Sequence, residues 1–227
     1  MNLRKIPILK DLYSSVRNTV MSRGGLQPFG EYFYSSAGHV FRNEPALAIP
    51  LPNLSGYLHN VLRQFMDCHG LGFKCLLVSE SNSVKVELQK YYPNIDFVTC
   101  DYFPELMNAS GQNKKVDIIW DVCTKTPDSL INDRFDSIIC HAMLEHVIAP
   151  TMALMNLFSI CAQNGKIYLL TCTPSFHHHQ FPRDYVRFHH DFFQDMPAFL
   201  EKYAGIKSVM LEMYSHEGLV ALCYQKQ

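Results

Sequence analysis

Short apolar runs alternate with helical patterns along the chain from residue 73 onward. Runs of this kind, bounded by polar or turn residues, are typical of strands that a parallel sheet buries on both faces. The runs, in chain order, are FKCLLVS, IDFVTC, VDIIWDV, FDSIIC and GKIYLLTC. They predict strands over residues 73–79, 95–100, 116–122, 135–140 and 165–172.

Two of the intervening segments have apolar residues at helical spacing. The first helix is expected to end before Pro93. The second is expected to begin at Pro150 and to end at Asn164-Gly165, because proline suits a helix start and glycine a helix end. The apolar faces are Val84, Leu88 and Tyr91 in the first helix and Leu154, Leu157, Phe158 and Cys161 in the second.

The C-terminal part has a different pattern. A helix is predicted near residues 191–203, and two strand-like runs follow it, IKSVMLEM and GLVALCYQ, separated by the hairpin-length segment YSHE. Alternating strands and helices that finish in a hairpin predict an open, doubly wound α/β sheet with helices on both faces and an antiparallel C-terminal strand. The domain with this sheet is expected to span residues 71–227.

Residues 1–70 are expected to form a helical and loop extension that acts as a lid or cap. Helices are predicted over Ile8–Met21 and from Leu54 to Asp67, and the segment between them is rich in glycine, proline and aromatic residues. The aromatic residues Tyr32–Tyr34 have two interpretations: a lid over a substrate, or a cluster that packs the extension onto the sheet.

Composition restricts the class of protein. Hydrophobic residues make up 48% of the chain and charged residues 18%, which excludes a disordered chain. The net charge of −1 argues against nucleic acid as the main partner, because phosphate binding needs a surplus of lysine and arginine. The eight cysteines form no CxxC pair, which indicates reduced thiols and a cytoplasmic protein. No apolar run reaches the ~20 residues of a membrane-spanning helix, so we expect no membrane partner.

The residues that follow the strands matter most for function, because ligands of open α/β sheets bind at the carboxyl ends of the strands. Here the sequence resembles a known family. The stretch FDSIICHAMLEHV, with Pro150 and the glycine before the fifth strand, is similar to the class I S-adenosylmethionine (SAM)-dependent methyltransferases of the small-molecule branch, as is the later segment PRDYVRF. The resemblance covers residues 70–225 in outline and implies a seven-stranded, Rossmann-like methyltransferase sheet with SAM as cofactor.

The resemblance also implies a SAM site at the ends of the strands. Asp101 lies 22 residues after Ser79, where a carboxylate accepts hydrogen bonds from both ribose hydroxyls. Asp121 stands where the family places an acidic group against the adenine amino group, and Val122 would flank the ring. From the residues alone, each aspartate can also be a helix N-cap or a turn residue. The expected cofactor contacts are Ser79, Glu80, Ser81, Asp101, Tyr102, Asp121, Val122 and His141.

The loop after the first strand departs from the family pattern, which is G-x-G-x-G in outline. Ser79, Ser81 and Ser83 occupy the glycine positions, and Leu77 stands where the family has an acidic residue, so that Glu80 is the nearest carboxylate. Glycine provides positive φ and close backbone approach there, and a residue with a Cβ pays about 1–2 kcal/mol for the same conformation. Two hypotheses follow: a methyltransferase that binds SAM through an altered loop, or an inactive methyltransferase-like binding or scaffold subunit.

Histidines provide the candidate catalytic groups, because imidazole can act as a general base near neutral pH. His146 or His141 is expected to take a proton from an oxygen or nitrogen of a small-molecule acceptor. Two alternatives remain open. The pair Glu145-His146 can be structural, and positioning of the acceptor can accelerate methyl transfer without an obligatory base.

The segment HHHQFPRDYVRFHH follows the fifth strand and is expected to line the acceptor site. Its candidate substrate-binding residues are His179, Asp184, Tyr185 and Arg187. An arginine here can clamp an acidic substrate group, or Asp184 and Arg187 can pair and fix the loop. We expect no metal site, since adjacent histidines on an extended segment point to opposite faces. The alternative is a site built from some of His177, His179, His189 and Asp184. A protein partner, if present, would bind the N-terminal extension.

Overall fold

The computed structural model describes residues 32–35, 56–102, 116–179, 183–216 and 218–227. They form an eight-stranded sheet with helices on both faces. The strands are β1 (Tyr32–Ser35), β2 (Lys74–Val78), β3 (Asp96–Asp101), β4 (Ile118–Ile119), β5 (Phe135–His141), β6 (Cys161–Cys172), β7 (Ser208–His216) and β8 (Leu219–Lys226). The helices are α1 (Gly56–His69), α2 (Asn82–Tyr91), α3 (Asp128–Ile131), α4 (Pro150–Ile160) and α5 (His190–Ala204), and a 3₁₀ turn covers Leu144–His146.

The strands lie in the order β1-β7-β8-β6-β5-β2-β3-β4. The pairs from β4 across to β6 are parallel, whereas β8 pairs antiparallel with both β6 and β7. From β2 the chain moves outward to β3 and β4 and then returns to β5 on the other side of β2. This reversal makes the boundary between β2 and β5 the topological switch point, outside which ligands of open α/β sheets bind. The predicted doubly wound sheet with an antiparallel C-terminal hairpin is confirmed.

Alternation of side chains along the strands divides the core between the two faces of the sheet. Cys75 and Leu77 of β2 pack with α1 and α2, whereas Leu76 and Val78 pack with α3, α4 and α5. Each of these four side chains is buried, because helices cover both faces. This explains the continuous apolar run that β2 shows in the sequence.

The entry into β2 is fixed by a contact with β5. The carboxylate of Asp136 accepts hydrogen bonds from the backbone N–H groups of Phe73 and Lys74, both at 2.9 Å. Gly72 precedes them with φ +71°, and a Cβ at this position would lie 2.4 Å from the Asp136 Cβ. Glycine is therefore required at residue 72 both for its backbone conformation and for the close approach of β5.

Two sequence predictions of element bounds are corrected. The strand expected over residues 116–122 is only Ile118–Ile119. The helix expected to end at Asn164-Gly165 ends at Ile160, because Cys161 already pairs with Phe135 of β5. Asn164 does adopt a left-handed conformation, with φ +62°, but it lies in an irregularity of β6.

Part of the N-terminal segment belongs to the sheet. β1 pairs antiparallel with β7 at the sheet edge. Helix α1 packs Val61, Phe65 and their neighbours against the sheet, although it lies in the predicted extension. The helix predicted over Ile8–Met21 lies outside the described residues, so the division of the chain at residue 70 stays a prediction.

The eight cysteines are all free thiols, and six of them are buried. The six buried cysteines act as small apolar residues of the core. Within the described part of the chain, no helix is long and apolar enough to cross a membrane.

Candidate functional site

Three neighbouring strands bring polar side chains to the switch point. β2 is followed by Ser79 and Glu80, β3 ends with Asp101, and β5 ends with His141. These four residues, here called the switch-point cluster, come from separate parts of the chain and meet because parallel strands present their carboxyl ends at one edge of the sheet. Glu80 and Asp101 are each only 8% exposed, which is unusual for carboxylates.

The backbone at the switch point is strained on both strands. Ser79 directly follows β2 with φ +65°, and Ala142 directly follows β5 with φ +46°. A left-handed conformation costs a residue with a Cβ about 1–2 kcal/mol, and such strain is typical of functional sites. The loop after β2 therefore adopts at Ser79 a backbone conformation that suits glycine, although the sequence has serine there.

Glu80 and His141 form a pair across the switch point. The Glu80 Oε1 lies 3.2 Å from the Nδ1 of His141, and both side chains are 11% exposed. When Nδ1 carries the proton it donates to this carboxylate, and the other ring nitrogen, Nε2, then has a lone pair. A carboxylate that orients an imidazole in this way is the arrangement of a general base.

The loop after β2 leads into a helix N-terminus. Ser81 precedes α2 in an extended conformation, but its hydroxyl does not cap the helix and instead lies 2.6 Å from the Ser83 hydroxyl. The first N–H groups of a helix favour an anion such as a carboxylate. An anionic group of a ligand at the switch point would therefore find donors at the start of α2.

The other predicted cofactor residues lie at the ends of β3 and β4. Asp101 accepts a hydrogen bond of 2.7 Å from the N–H of Tyr102, whose side chain is 49% exposed. Asp121 accepts one of 2.8 Å from the N–H of Cys123 and so stabilises the turn after β4. The turn role considered for Asp121 is thus present. Val122 is buried in the core on the face of α4 and α5.

A second group of polar side chains lies beside the first. Glu145 and His146 belong to the 3₁₀ turn after β5, and His179 belongs to the loop after β6. The Nε2 atoms of the two histidines are 3.1 Å apart, and the Nε2 of His146 is 3.9 Å from the Glu145 Oε1. These three residues are here called the loop cluster. The backbone carbonyl of Glu145 holds the loop in place by accepting the N–H groups of residues 185 and 186 at 2.8 and 3.2 Å.

Asp184 and Arg187, which were predicted to bind substrate, form an ion pair with each other inside this loop. Asp184 has a side chain only 1% exposed and forms a bidentate ion pair with the guanidinium of Arg187, which holds the pKa of that carboxyl well below its usual range. Arg187 also donates to the carbonyls of Phe176 and His177 at 3.4 and 3.0 Å. The geometry favours the loop-fixing alternative over a substrate clamp, while the exposed Tyr185 remains a candidate substrate contact.

Two structural features beside these clusters could not be predicted from the sequence. Ala142 carries no chemistry, so nothing in the sequence marks its strained backbone. Glu145 has only a structural interpretation from the sequence, as the partner of His146, and the loop that brings His179 to His146 returns after 33 residues. His177 and His178 are exposed and His179 is half-buried, so the three adjacent histidines differ in their surroundings.

Comparisons of sequence give no relative: no protein-family model matches the chain, and no curated protein matches it. Comparisons of structure do find similar folds. A SAM-dependent methyltransferase from Archaeoglobus fulgidus has a TM-score of 0.51 and 12% identity, over 75% of this chain and 93% of that one. The plantazolicin methyltransferase BpumL, solved with a pentazolic desmethylPZN analog and SAH, has a TM-score of 0.53 and 13% identity, over 74% and 83%.

A third similar structure carries a different description. It is described as a Zn-dependent alcohol dehydrogenase from Rhodobacter sphaeroides and has a TM-score of 0.53 with 9% identity, over 80% of this chain and 93% of that one. The strand order from β4 to β7, with β8 inserted antiparallel between β6 and β7, is typical of Rossmann-like methyltransferases. At these identities a likeness shows the fold, and the activity has to be argued from the site.

Proposed function

We propose that this chain, which has the class I SAM-dependent methyltransferase fold, is an enzyme that transfers a methyl group from SAM to an oxygen or nitrogen of a small molecule. One observation carries the proposal most strongly. Two residues with a Cβ, Ser79 and Ala142, hold left-handed backbone conformations on the two strands of the switch point, where the fold binds its ligands.

The residues of the switch-point cluster fit SAM chemically. SAM has a ribose diol, a positively charged sulfonium and amino group, and a carboxylate. Asp101 can accept hydrogen bonds from the diol, the N-terminus of α2 can bind the carboxylate, and Glu80 complements positive charge. Contacts of Ser79, Ser81 and Tyr102 with SAM, and of Asp121 and Val122 with its adenine, are part of the same proposal.

Bound SAM supplies an electrophilic methyl group, and the protein has to supply an oriented acceptor and a destination for its proton. His141 is the better of the two candidate bases. Its Nδ1 faces the carboxylate of Glu80, which orients the imidazole and favours the tautomer in which Nε2 can accept a proton from a hydroxyl or an amine. His146 is less suited, because its Nδ1 faces the carbonyl of Arg183 at 2.9 Å and its Nε2 faces His179.

The acceptor is proposed to be a small molecule, because a net charge of −1 does not favour a polyanion. His179 and Tyr185, in the loop after β6, are proposed to contact it. We propose that the protein acts in the cytoplasm, given its eight free thiols. Any protein partner would bind the N-terminal extension.

An NAD-dependent dehydrogenase is disfavoured in spite of the third structural likeness. The dinucleotide fingerprint G-x-G-x-x-G would follow the first parallel strand, and the sequence after β2 is SESNS. The absence of glycine from this loop does favour one other function, that of an inactive methyltransferase-like scaffold subunit. The two functions differ in whether the switch point binds SAM.

Calorimetric titration with SAM and with its demethylated product distinguishes them. We expect a dissociation constant tighter than about 100 μM, which corresponds to about −5.5 kcal/mol. Absence of binding heat and of any thermal shift at millimolar SAM would overturn the proposal and leave the scaffold function.

A pair of variants on β3 locates the site. Asp101→Ala is expected to weaken SAM binding by about 10- to 100-fold, because a hydrogen bond to a charged group contributes about 1.5–3 kcal/mol. Asp96→Ala is the matched control, since Asp96 is an exposed aspartate at the opposite end of the same strand. Equal affinity in the two variants would show that the ribose does not bind at Asp101.

A further inference from the structure

The loop cluster lies outside the switch-point cluster, and SAM binding as proposed above does not use it. Glu145 and His146 follow β5 and His179 follows β6, so that all three lie beyond the carboxyl ends of adjacent parallel strands. The three ligand-type atoms of this cluster lie within 4.8 Å of one another. Two imidazoles and a carboxylate at such distances are a donor set for a metal ion.

Two of the three separations are close to those of a single coordination sphere. A zinc ion binds imidazole nitrogen at about 2.0–2.1 Å and carboxylate oxygen at about 2.0–2.2 Å, so tetrahedral neighbours lie about 3.3–3.5 Å apart. The Nε2 atoms of His146 and His179 are 3.1 Å apart, and the Nε2 of His146 is 3.9 Å from the Glu145 Oε1. The third separation, between Glu145 and His179, is at most 4.8 Å, so the carboxylate has to approach His179 by about 1 Å for the three atoms to surround one ion.

The other ring nitrogens have partners that orient the two imidazoles. The Nδ1 of His146 lies 2.9 Å from the carbonyl oxygen of Arg183, which can only accept, so Nδ1 carries the hydrogen. The Nδ1 of His179 lies 3.3 Å from the carboxylate of Asp184 and 3.5 Å from the Nη2 of Arg187, and the Asp184 Oδ2 also accepts the His179 backbone N–H at 2.9 Å. Outer partners of this kind orient the histidine ligands of metal sites.

The two Nε2 atoms face each other at 3.1 Å. When both imidazoles carry their hydrogen at Nδ1, both Nε2 lone pairs point to the same place and suit a cation there, whereas in the other tautomer of His179, which the Arg187 guanidinium favours, Nε2 would donate to His146. The buried carboxylate of Glu145, 1% exposed, adds negative charge at the same place. Its hydrogen-bond donors are neutral, the hydroxyl of Thr171 at 2.6 Å and the thiol of Cys172 at 3.4 Å. The positive charge of Arg187 is taken up by Asp184.

We propose that Glu145, His146 and His179 form a binding site for a divalent transition metal of the zinc type. Two imidazole ligands select zinc and its neighbours over magnesium and calcium, which prefer oxygen donors. Three protein ligands leave a fourth position open for water or for an oxygen of a bound molecule. The sequence alone leaves open a metal site built from some of His177, His179, His189 and Asp184. In the proposed site, His179 is a ligand and Asp184 is the outer partner that orients it.

Metal binding to the full chain tests this site directly. Protein treated with chelator and dialysed is titrated with Zn²⁺ by calorimetry, and with Co²⁺ by visible absorption, which reports the ligand field. We expect one ion per chain with a dissociation constant of about 1 μM or tighter, and a rise in melting temperature as ligand linkage requires.

The variants His146→Gln and His179→Gln each remove one ligand, from side chains that are 10% and 28% exposed. Each is expected to weaken Zn²⁺ binding at least about tenfold. His178→Gln is the matched control, because it changes an exposed histidine adjacent to His179. It is expected to bind like the original protein, and circular dichroism checks that all three variants are folded.

Two results would overturn the metal site. One is Zn²⁺ binding of equal strength in His146→Gln and His178→Gln, which would place the ion elsewhere. The other is absence of binding, together with imidazole NMR signals that titrate as one proton shared by His146 and His179 and do not respond to Zn²⁺. Neither result affects the test of SAM binding, because the SAM titration reports on the switch-point cluster.

Discussion

Replacement of Ser79 by glycine tests whether the loop after β2 is held in a conformation that its sequence does not favour. Ser79 has φ +65°, a value that costs a residue with a Cβ about 1–2 kcal/mol. Glycine removes this cost but increases the entropy of the unfolded chain, which offsets about 0.4–1 kcal/mol. The variant Ser79→Gly is therefore expected to be more stable than the original protein by about 0.5–1 kcal/mol.

Ser81 provides the matched comparison within the same loop. Its φ is −92°, so Ser81→Gly relieves no strain; it adds entropy to the unfolded chain and removes the exposed hydrogen bond with the Ser83 hydroxyl. A serine-to-glycine change at a helix N-cap costs a few tenths of a kcal/mol, so the variant is expected to lose about 0.5 kcal/mol. The two substitutions, identical in chemistry, should change the free energy of unfolding in opposite directions, with a difference of about 1–1.5 kcal/mol.

Urea unfolding followed by circular dichroism measures both changes. With a slope of about 2 kcal/mol per molar urea, the midpoints of the two variants should differ by about 0.5 M or more. SAM affinity of Ser79→Gly should not weaken, because the backbone conformation is retained. If both variants lose the same stability, Ser79 is not strained, and the main support for the proposed function is removed.

Three further predictions concern the fold around the site. Gly72→Ala is expected to lower the free energy of unfolding in urea by about 2–4 kcal/mol, because its Cβ would clash with Asp136. Gly70 has a similar φ of +76° but no atom within 4 Å, so Gly70→Ala should lower it by only about 1 kcal/mol. Equal losses of stability in the two variants would contradict the steric clash. A thiol reagent followed by mass spectrometry should modify Cys68 first and Cys123 next, and the buried thiols only after unfolding; rapid modification of a third thiol would contradict this burial. Burial alone would raise the pKa of Asp117, but hydrogen bonds from neighbouring donors lower it. The stabilisation that the ionised carboxylate provides is therefore present above pH ~4 and is lost as the pH falls. The variant Asp117→Asn should reduce the fall in melting temperature at acid pH, and an unchanged fall would contradict this reasoning.

The fold could be predicted from the sequence because apolar runs and helical spacing are local signals. The ends of elements were less predictable when a long-range pairing decided them. Asn164-Gly165 is a strong local signal for a turn, and Asn164 is indeed left-handed, but the pairing of Cys161 with Phe135 ends the helix earlier. No pattern in the sequence reveals that pairing.

The candidate site was also predictable only where the signal was local in the sequence. The resemblance drew attention to the residues after each strand, and the structure brings Glu80, Asp101 and His141 to the switch point. Contacts across loops were not predictable, since His146 and His179 meet only because residues 185 and 186 return to the carbonyl of Glu145. Likewise, Arg187 could be a clamp or a loop anchor until its partners were known.

The two clusters depend on one short segment of chain. His141 ends β5 and faces the switch point, and Glu145 and His146 follow within the next five residues but belong to the loop cluster. A strand that continued straight would carry these residues past the sheet edge, whereas the left-handed Ala142, φ +46°, turns the chain into the 3₁₀ turn. The strain at Ala142 thus separates a base candidate from two metal-ligand candidates. Because SAM titration reads one cluster and Zn²⁺ titration the other, a variant that loses both must disturb this segment, and a variant that loses one locates the defect in a single cluster.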